Sequence, residues 1–361
     1  MRLRFSKWQA GGNDFILLGA QAADMAALAC RELGVEMGDA ARALCDRHSG
    51  VGADGLLAVQ AADGADSHLR MGFWNPDGSA AGMCGNGARC FAAAAWEQGA
   101  PRNLAFQVAD ARYAAEPDER TGWVWLTFPQ SVAVRELEDP VRRILVCRPG
   151  TDHIVVLADR ASDAPGSAAV WKRLSGAGSG GGDSNREDSD SDPDEEDAWR
   201  REARGLRRNG RVLAGGGNVN LVWKEGDGPL NVLTYERGVE GFTRSCGTGA
   251  VAAALAWAAA GEPTGRPDPG SKVFQAVSTP GGPLGIRYRW NGTAASAGGA
   301  EAALFTDIQL GGPARNVFEG ELDLRDLLLP AGQPHARACA AESGENAPSP
   351  IPSSQPDAKL I

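Results

Sequence analysis

The chain has 361 residues, 43% of them hydrophobic and 23% charged, with a formal net charge of −10. That length is too great for one small core and fits two domains of ordinary size, and no apolar run of about 18 residues is free of charge or glycine, which excludes a membrane-spanning helix. Nine acidic residues against the single Arg186 crowd Ser175–Asp197, so the remainder is nearly neutral and no nucleic-acid partner is expected.

Taken in chain order, Leu3–Trp8 and Phe15–Leu18 read as strands around the turn Gly11-Gly12-Asn13-Asp14. Met1 to Phe15 carries Arg2, Arg4 and Lys7 with no apolar stretch behind them, so a signal peptide is not expected and a cytoplasmic location is. Asp39–Asp46 reads as a short helix and Gly55–Gln60 as a strand. His68–Trp74 alternates Leu69, Met71 and Phe73 with Arg70 and Gly72, the period of a half-buried strand. Gly87–Gln98 is alanine-rich and strongly helix-prone. Trp123–Phe128 and Ile154–Leu157 read as strands.

Ser175–Asp197 is Gly/Ser-rich and then acidic, with no large apolar side chain to bury, so it is expected to be a disordered surface insertion. Strands are predicted at Asn218–Trp223, Leu230–Tyr235 and Leu304–Leu310, around a second alanine-rich helix at Gly249–Ala260. That helix has no charge on any face, so it belongs inside a core. The tail from about Gln333 to the end is expected to be disordered.

The two alanine-rich helices begin alike, with Met83-Cys84-Gly85-Asn86-Gly87-Ala88 and with Ser245-Cys246-Gly247-Thr248-Gly249-Ala250. The repeat suggests two similar lobes whose cysteines meet across one cleft. A cysteine at a helix N-terminus sees free N–H groups and the positive end of the helix dipole, which lower a thiol pKa. The same N–H groups can hold a carboxylate. Two such motifs face to face suit removal of an α-proton from one side of an amino acid and delivery from the other. The remaining cysteines, Cys30, Cys45, Cys90, Cys147 and Cys339, have no glycine frame and read as ordinary apolar or unpaired thiols. No CxxC pair exists, and none of the four histidines lies near a cysteine at ligand spacing, so neither a disulfide framework nor a metal site is expected.

With these motifs stand FSKWQAGGNDFILL, DRHSGVGADGLL, FWNPDGSAAGMCGNGARC, NVNLV, TYERGVEGFTRSCGTGA and GPARNVFEGEL. Together they resemble the diaminopimelate epimerase family over about residues 1–330, apart from the acidic segment. The resemblance implies an α/β (α+β) fold of two pseudo-symmetric lobes, each a mixed sheet around a central buried helix, with the site in the cleft between them. It implies an N-terminal lobe of residues 1–128 with a returning strand at about 314–330, and a C-terminal lobe of residues 129–313.

It further implies interconversion of LL- and meso-diaminopimelate, in lysine and peptidoglycan-precursor synthesis, without pyridoxal phosphate or metal, by a protein often homodimeric. Matched by motif, Cys84 and Cys246 are the acid/base pair. Backbone N–H groups of Gly85, Asn86, Gly247 and Thr248 hold the carboxylate at the reacting centre. Asn13, Asn75 and Asn220 match substrate-binding asparagines, with Asn218 as the alternative to Asn220. Glu236 and Arg237 match a pair near the substrate's ammonium and carboxylate groups, and Glu236 and His153 match groups that tune the thiols. Thr151 matches a further substrate contact.

Two positions depart from the family pattern: Gly55 stands where many members carry a substrate-contacting Gln, and Asp152 stands where the segment before His153 has Pro. A proline or hydroxyproline racemase would also use two cysteines, but Asn75, Asn220, Glu236 and Arg237 argue for a substrate polar at both ends. Phenazine-biosynthesis-like isomerases lack the paired cysteines, and a non-catalytic binding relative would be expected to have lost one of them.

Overall fold

Both halves of the chain repeat one order of elements, and alternation along the strands together with alanine-rich helices accounts for most of it. The computed structural model describes residues 2–62, 69–158, 167–175, 193–261, 266–295 and 301–328. The first half runs β1 (Arg2–Ala10), β2 (Asn13–Leu18), α1 (Ala20–Leu33), α2 (Met37–Cys45), β3 (Gly55–Ala61), β4 (Leu69–Trp74), α3 (Gly85–Glu97), β5 (Leu104–Val108), β6 (Ala111–Asp118) and β7 (Trp123–Thr127). The second runs β8 (Val132–Leu137), β9 (Arg143–Cys147), β10 (His153–Leu157), α4 (Ser167–Ser175), α5 (Pro193–Arg208), β11 (Asn218–Lys224), β12 (Leu230–Glu236), β13 (Gly241–Thr243), α6 (Gly247–Ala260), β14 (Lys272–Thr279), β15 (Gly282–Ala295) and β16 (Glu301–Pro313). The described chain ends with β17 (Arg315–Asp323) and α7 (Leu324–Leu328).

The pairings repeat as well as the order. In the first half β1–β2 is antiparallel, β2–β3 parallel, β3–β4 antiparallel, β4–β5 parallel and β5–β6 antiparallel. In the second half β9–β10, β10–β11, β11–β12, β12–β14 and β14–β15 follow the same sequence of senses. Strand β16 bridges the halves by pairing with both β7 and β8. Strand β17 lies antiparallel to β1 from Arg2↔Asp323 to Gln9↔Arg315.

Each lobe wraps its sheet around one helix. Strands β1, β2, β3, β6, β7, β16 and β17 contact α3, and β8 to β12 with β14, β15 and β16 contact α6. All of α6 is buried except Trp257 and Ala260, as a helix with no polar face requires. The core around α3 and α6 is continuous through both lobes. The outer sheet faces carry α1, α2 and α7 in the first lobe, over Leu3, Ile16, Leu18 and Leu56. In the second they carry α4 and α5, over Ile154, Val219 and Leu221.

The acidic segment corrects one expectation. Ser175 is the last residue of α4, and residues 193–197 form the opening of α5. Just beyond the segment's edge, Trp199 and Ala203 are buried on the sheet and anchor that helix. A run of acids at a helix start is favoured by the dipole. The rest of that segment and the tail 333–361 lie outside the described residues.

Candidate active site

Helices α3 and α6 meet N-terminus to N-terminus. A Cβ built on Gly247 would stand 3.3 Å from Gly85 Cα, and a Cβ on either glycine would come within 2.9 Å of Leu310 Cδ2. A side chain at the first glycine of either motif would therefore have to push Leu310 aside. At Gly249 a Cβ would lie 2.5 Å from Asn220 Oδ1. Two positive helix ends converging on one place repel each other unless negative charge sits between them. That makes the junction an anion site by construction.

Cys84 and Cys246 cap these helices, both half-buried and both extended in backbone (φ −120° and −114°). Gly87 N–H donates to Cys84 Sγ at 3.5 Å, and Gly249 N–H donates to Cys246 Sγ at 3.4 Å. The expected lowering of the thiol pKa is not the net result. Burial raises both thiols, outweighing the Gly87 and Asn86 N–H donors at Cys84. At Cys246 burial is reinforced by the Glu236 carboxylate and opposed by Thr248 and the Gly249 N–H. Cys246 hydrogen-bonds Glu236, whose other partner is the Thr243 hydroxyl at 2.5 Å, and burial raises the Glu236 carboxyl.

Hydrogen bonds of fixed direction support each cysteine turn. In the second lobe, Asn220 Nδ2 lies 3.0 Å from His153 Nδ1, and His153 Nε2 lies 2.9 Å from Thr248 Oγ1. Thr248 Oγ1 in turn lies 3.5 Å from Cys246 Sγ. The Asn220 amide is oriented by Thr234, whose hydroxyl donates to Asn220 Oδ1 at 3.0 Å. Burial pushes His153 down to about 3 and Arg237 adds to the effect, so the imidazole is neutral, accepts at Nδ1 and donates at Nε2.

In the first lobe, Asn86 Nδ2 donates to Asn13 Oδ1 at 2.7 Å and to Ser245 O at 3.2 Å, tying one cysteine turn to the other. Asn13 Nδ2 passes the direction on to Asp54 Oδ2 at 3.1 Å. Arg47 clamps Asp54 and Asp14, and Lys7 pairs with Asp14 at 2.9 Å. Arg47 and Lys7 outweigh burial and hold the Asp14 carboxyl well below the usual range.

Most sequence-derived residues gather here, but not all as direct contacts. Asn220 is fully buried, and its amide is bonded to His153, Ile154 O and Thr234, which orders His153. Asn218, its alternative, accepts from Arg237 N–H at 2.8 Å and is also buried. The Asn86 side chain is likewise used up, by Asn13, Ser245 O and Arg89. Arg237 is exposed and donates to Thr151 Oγ1 at 3.3 Å. Asn75 closes the 75–79 turn through Ser79. At Gly55 a Cβ would stand 2.6 Å from Phe73 Cε2, so that ring fills the space a side chain would need. Asp152 faces Arg148 at 3.6 Å. Reading the sequence missed Arg89, Thr234, Ser245 and Asp54; a lone arginine in an otherwise apolar helix was the available signal.

Comparison with known proteins agrees with this geometry. The family model described as Diaminopimelate epimerase matches residues 5–111. A curated diaminopimelate epimerase of Archaeoglobus fulgidus is 32% identical over 91% of this chain and 99% of its own. The chain belongs to the diaminopimelate epimerase family. Other relatives of that name are those of Burkholderia mallei, 32% identical over 90% of this chain and 99% of its own, and of a Hydrogenobaculum species, 30% identical over 69% and 80%.

Solved structures share the family's two-lobed architecture at low identity. A phenazine biosynthesis protein of the PhzF family from Bacillus anthracis aligns with TM-score 0.56 at 13% identity, covering 90% of this chain and 99% of its own. A hydroxyproline epimerase from Agrobacterium vitis aligns with TM-score 0.50 at 16% identity, covering 89% and 92%.

Proposed function

We propose that this protein interconverts LL- and meso-2,6-diaminopimelate by proton transfer between two thiols, with no cofactor. The observation that carries the reading is the head-to-head meeting of two Cys-capped helix N-termini at Gly85 and Gly247. Family membership supplies the substrate.

In this reading the α-carboxylate is held by the N–H groups of Gly85, Asn86, Gly247 and Thr248, with the α-carbon between the sulfurs. One sulfur, as thiolate, takes the α-proton. The electron pair left on the α-carbon spreads into the carboxylate, where the two helix ends stabilise the added charge. The other sulfur, as thiol, delivers its proton to the opposite face and becomes the thiolate. The configuration inverts, and the reverse direction exchanges the roles. The exposed Arg237, which donates to Thr151 Oγ1, is assigned with Thr151 to the distal polar end on the family resemblance. Glu236 takes the hydrogen bond of the Cys246 thiol and so retains its proton.

Lobes divided near residues 128 and 313, a homodimeric state and a cytoplasmic location belong to the same proposal and rest on the family resemblance. No helix among the described residues is long and apolar enough to cross a membrane. Purified protein with reductant is offered LL-diaminopimelate, L-proline and trans-4-hydroxy-L-proline in turn, and products are separated by chirality. Conversion of the first alone supports the reading. Conversion of a cyclic amino acid instead would keep the two-thiol chemistry and overturn the substrate.

A further inference from the structure

Arg89 carries a charge that the mechanism above does not use. It is fully buried in α3, five residues past Cys84, and among the described residues it has no carboxylate partner. Its Nη2 donates to Asn86 Oδ1 at 2.9 Å and its Nη1 to Gly85 O at 3.4 Å, while its Nε has no partner. The β16 backbone closes over it, since a Cβ on Gly312 would stand 3.3 Å from that Nε. Burial pushes the guanidinium down to about 10, so it remains charged at neutral pH. Burying an unpaired cation is costly, and such a charge is tolerated where negative charge comes to meet it.

The hydrogen-bond directions make the arginine decisive for its neighbours. A guanidinium only donates and a backbone carbonyl only accepts. With Arg89 on Asn86 Oδ1, the Asn86 nitrogen has to face Asn13 Oδ1 and Ser245 O, the residue before Cys246. Without Arg89 the amide could turn over and drop both links.

We propose that Arg89 is a positioning residue of this site, whose buried guanidinium fixes Asn86 so that the two cysteine turns stay in register, and whose charge favours the thiolate at Cys84 over that at Cys246. The proposal rests on the two-thiol reading and deepens it by assigning the resting protonation. The charges that act most on Cys84 are the Glu236 carboxylate, which disfavours its thiolate, and the Arg89 guanidinium, which favours it. The charges that act most on Cys246 are those of Glu236 and Cys84, both of which disfavour its thiolate.

The test is iodoacetamide labelling of the full-length protein against pH, with Cys84 and Cys246 peptides quantified separately by mass. In the native protein Cys84 should be labelled at lower pH than Cys246. Arg89→Met should raise the Cys84 midpoint by about one unit, the effect of removing a nearby opposite charge, and move Cys246 less. Arg89→Lys should restore the Cys84 midpoint. Arg89→Gln keeps a donor for Asn86, so it should shift the midpoint as Met does while losing less turnover.

Equal shifts at both cysteines, or none, would overturn the assignment. So would earlier labelling of Cys246 in the native protein, a result that needs no variant to fold. Labelling needs no substrate: the predicted shifts in a protein that epimerises nothing would overturn the function and leave the role of Arg89 standing.

Discussion

The imidazole of His153 is held between Asn220 Nδ2 at 3.0 Å and Thr248 Oγ1 at 2.9 Å, and the Thr248 hydroxyl lies 3.5 Å from Cys246 Sγ. Because Nδ1 accepts, Nε2 donates, and the Thr248 hydrogen is turned toward the sulfur. The histidine acts as a neutral dipole and not as a cation. Thr248→Val should therefore slow turnover by about tenfold, the cost of one donor of about 1.4 kcal/mol, with KM nearly unchanged. Thr248→Ser should recover most of it. Steady-state kinetics of the three proteins checks this, and equal losses in Ser and Val would contradict it.

His153 also fixes a pH dependence of stability. Its folded pKa of about 3 lies below the ordinary 6.5, so the unfolded chain binds the proton more readily. Its contribution is fully present above pH 6.5 and declines as pH falls toward 3, by at most about 1.4 kcal/mol per unit. Urea unfolding at pH 7.5 and at pH 5, taken as about two working points, should show a smaller difference for His153→Gln than for the native protein. An unchanged difference would mean that the imidazole is protonated in the folded state.

The glycine junction gives a steric prediction. Gly247→Ala puts a methyl group 2.9 Å from Leu310 Cδ2 and 3.3 Å from Gly85 Cα, and only the leucine can yield. The substitution should cost about 1–3 kcal/mol and most of the activity. Leu310→Val, which removes the clashing atom, should return part of both. Thermal melts and rates of the single and double variants decide it; no recovery would place the strain elsewhere.

The sequence showed the parts of this fold whose pattern is strong. Both central helices were legible from their alanine content and matched glycines, and nine strands from alternation or apolar runs. Helix α1 was not, because its buried face is Ala22, Ala23, Ala26, Ala29 and Cys30, too small to stand out against the polar residues between them. Helix α5 was hidden because its opening is acidic and its anchor, Trp199, lies beyond the acidic run. In the site, residue types were legible but not their partners. Nothing in the sequence says that Asn220 spends its whole amide on His153 and its neighbours, since that depends on the register of β10 beside β11.

Helix α5 supplies a prediction that sets it apart from a dispensable insertion. Trp199 is 1% exposed and stacks on Phe242 with ring centroids 6.5 Å apart. Trp199→Ala should destabilise the protein by about 3–5 kcal/mol. Chemical denaturation measures it, and a loss below about 1 kcal/mol would show that α5 contributes little to the second lobe.

The central claim is that Cys84 and Cys246 work from opposite faces of one α-carbon, and deuterium placement tests it most directly. LL-diaminopimelate is incubated in deuterated water with the native protein and with the Cys84→Ala and Cys246→Ala variants, each shown to be folded. The native protein should give the meso isomer with deuterium at the inverted α-carbon, and neither variant should invert. Inversion that survives the loss of either cysteine would contradict the account.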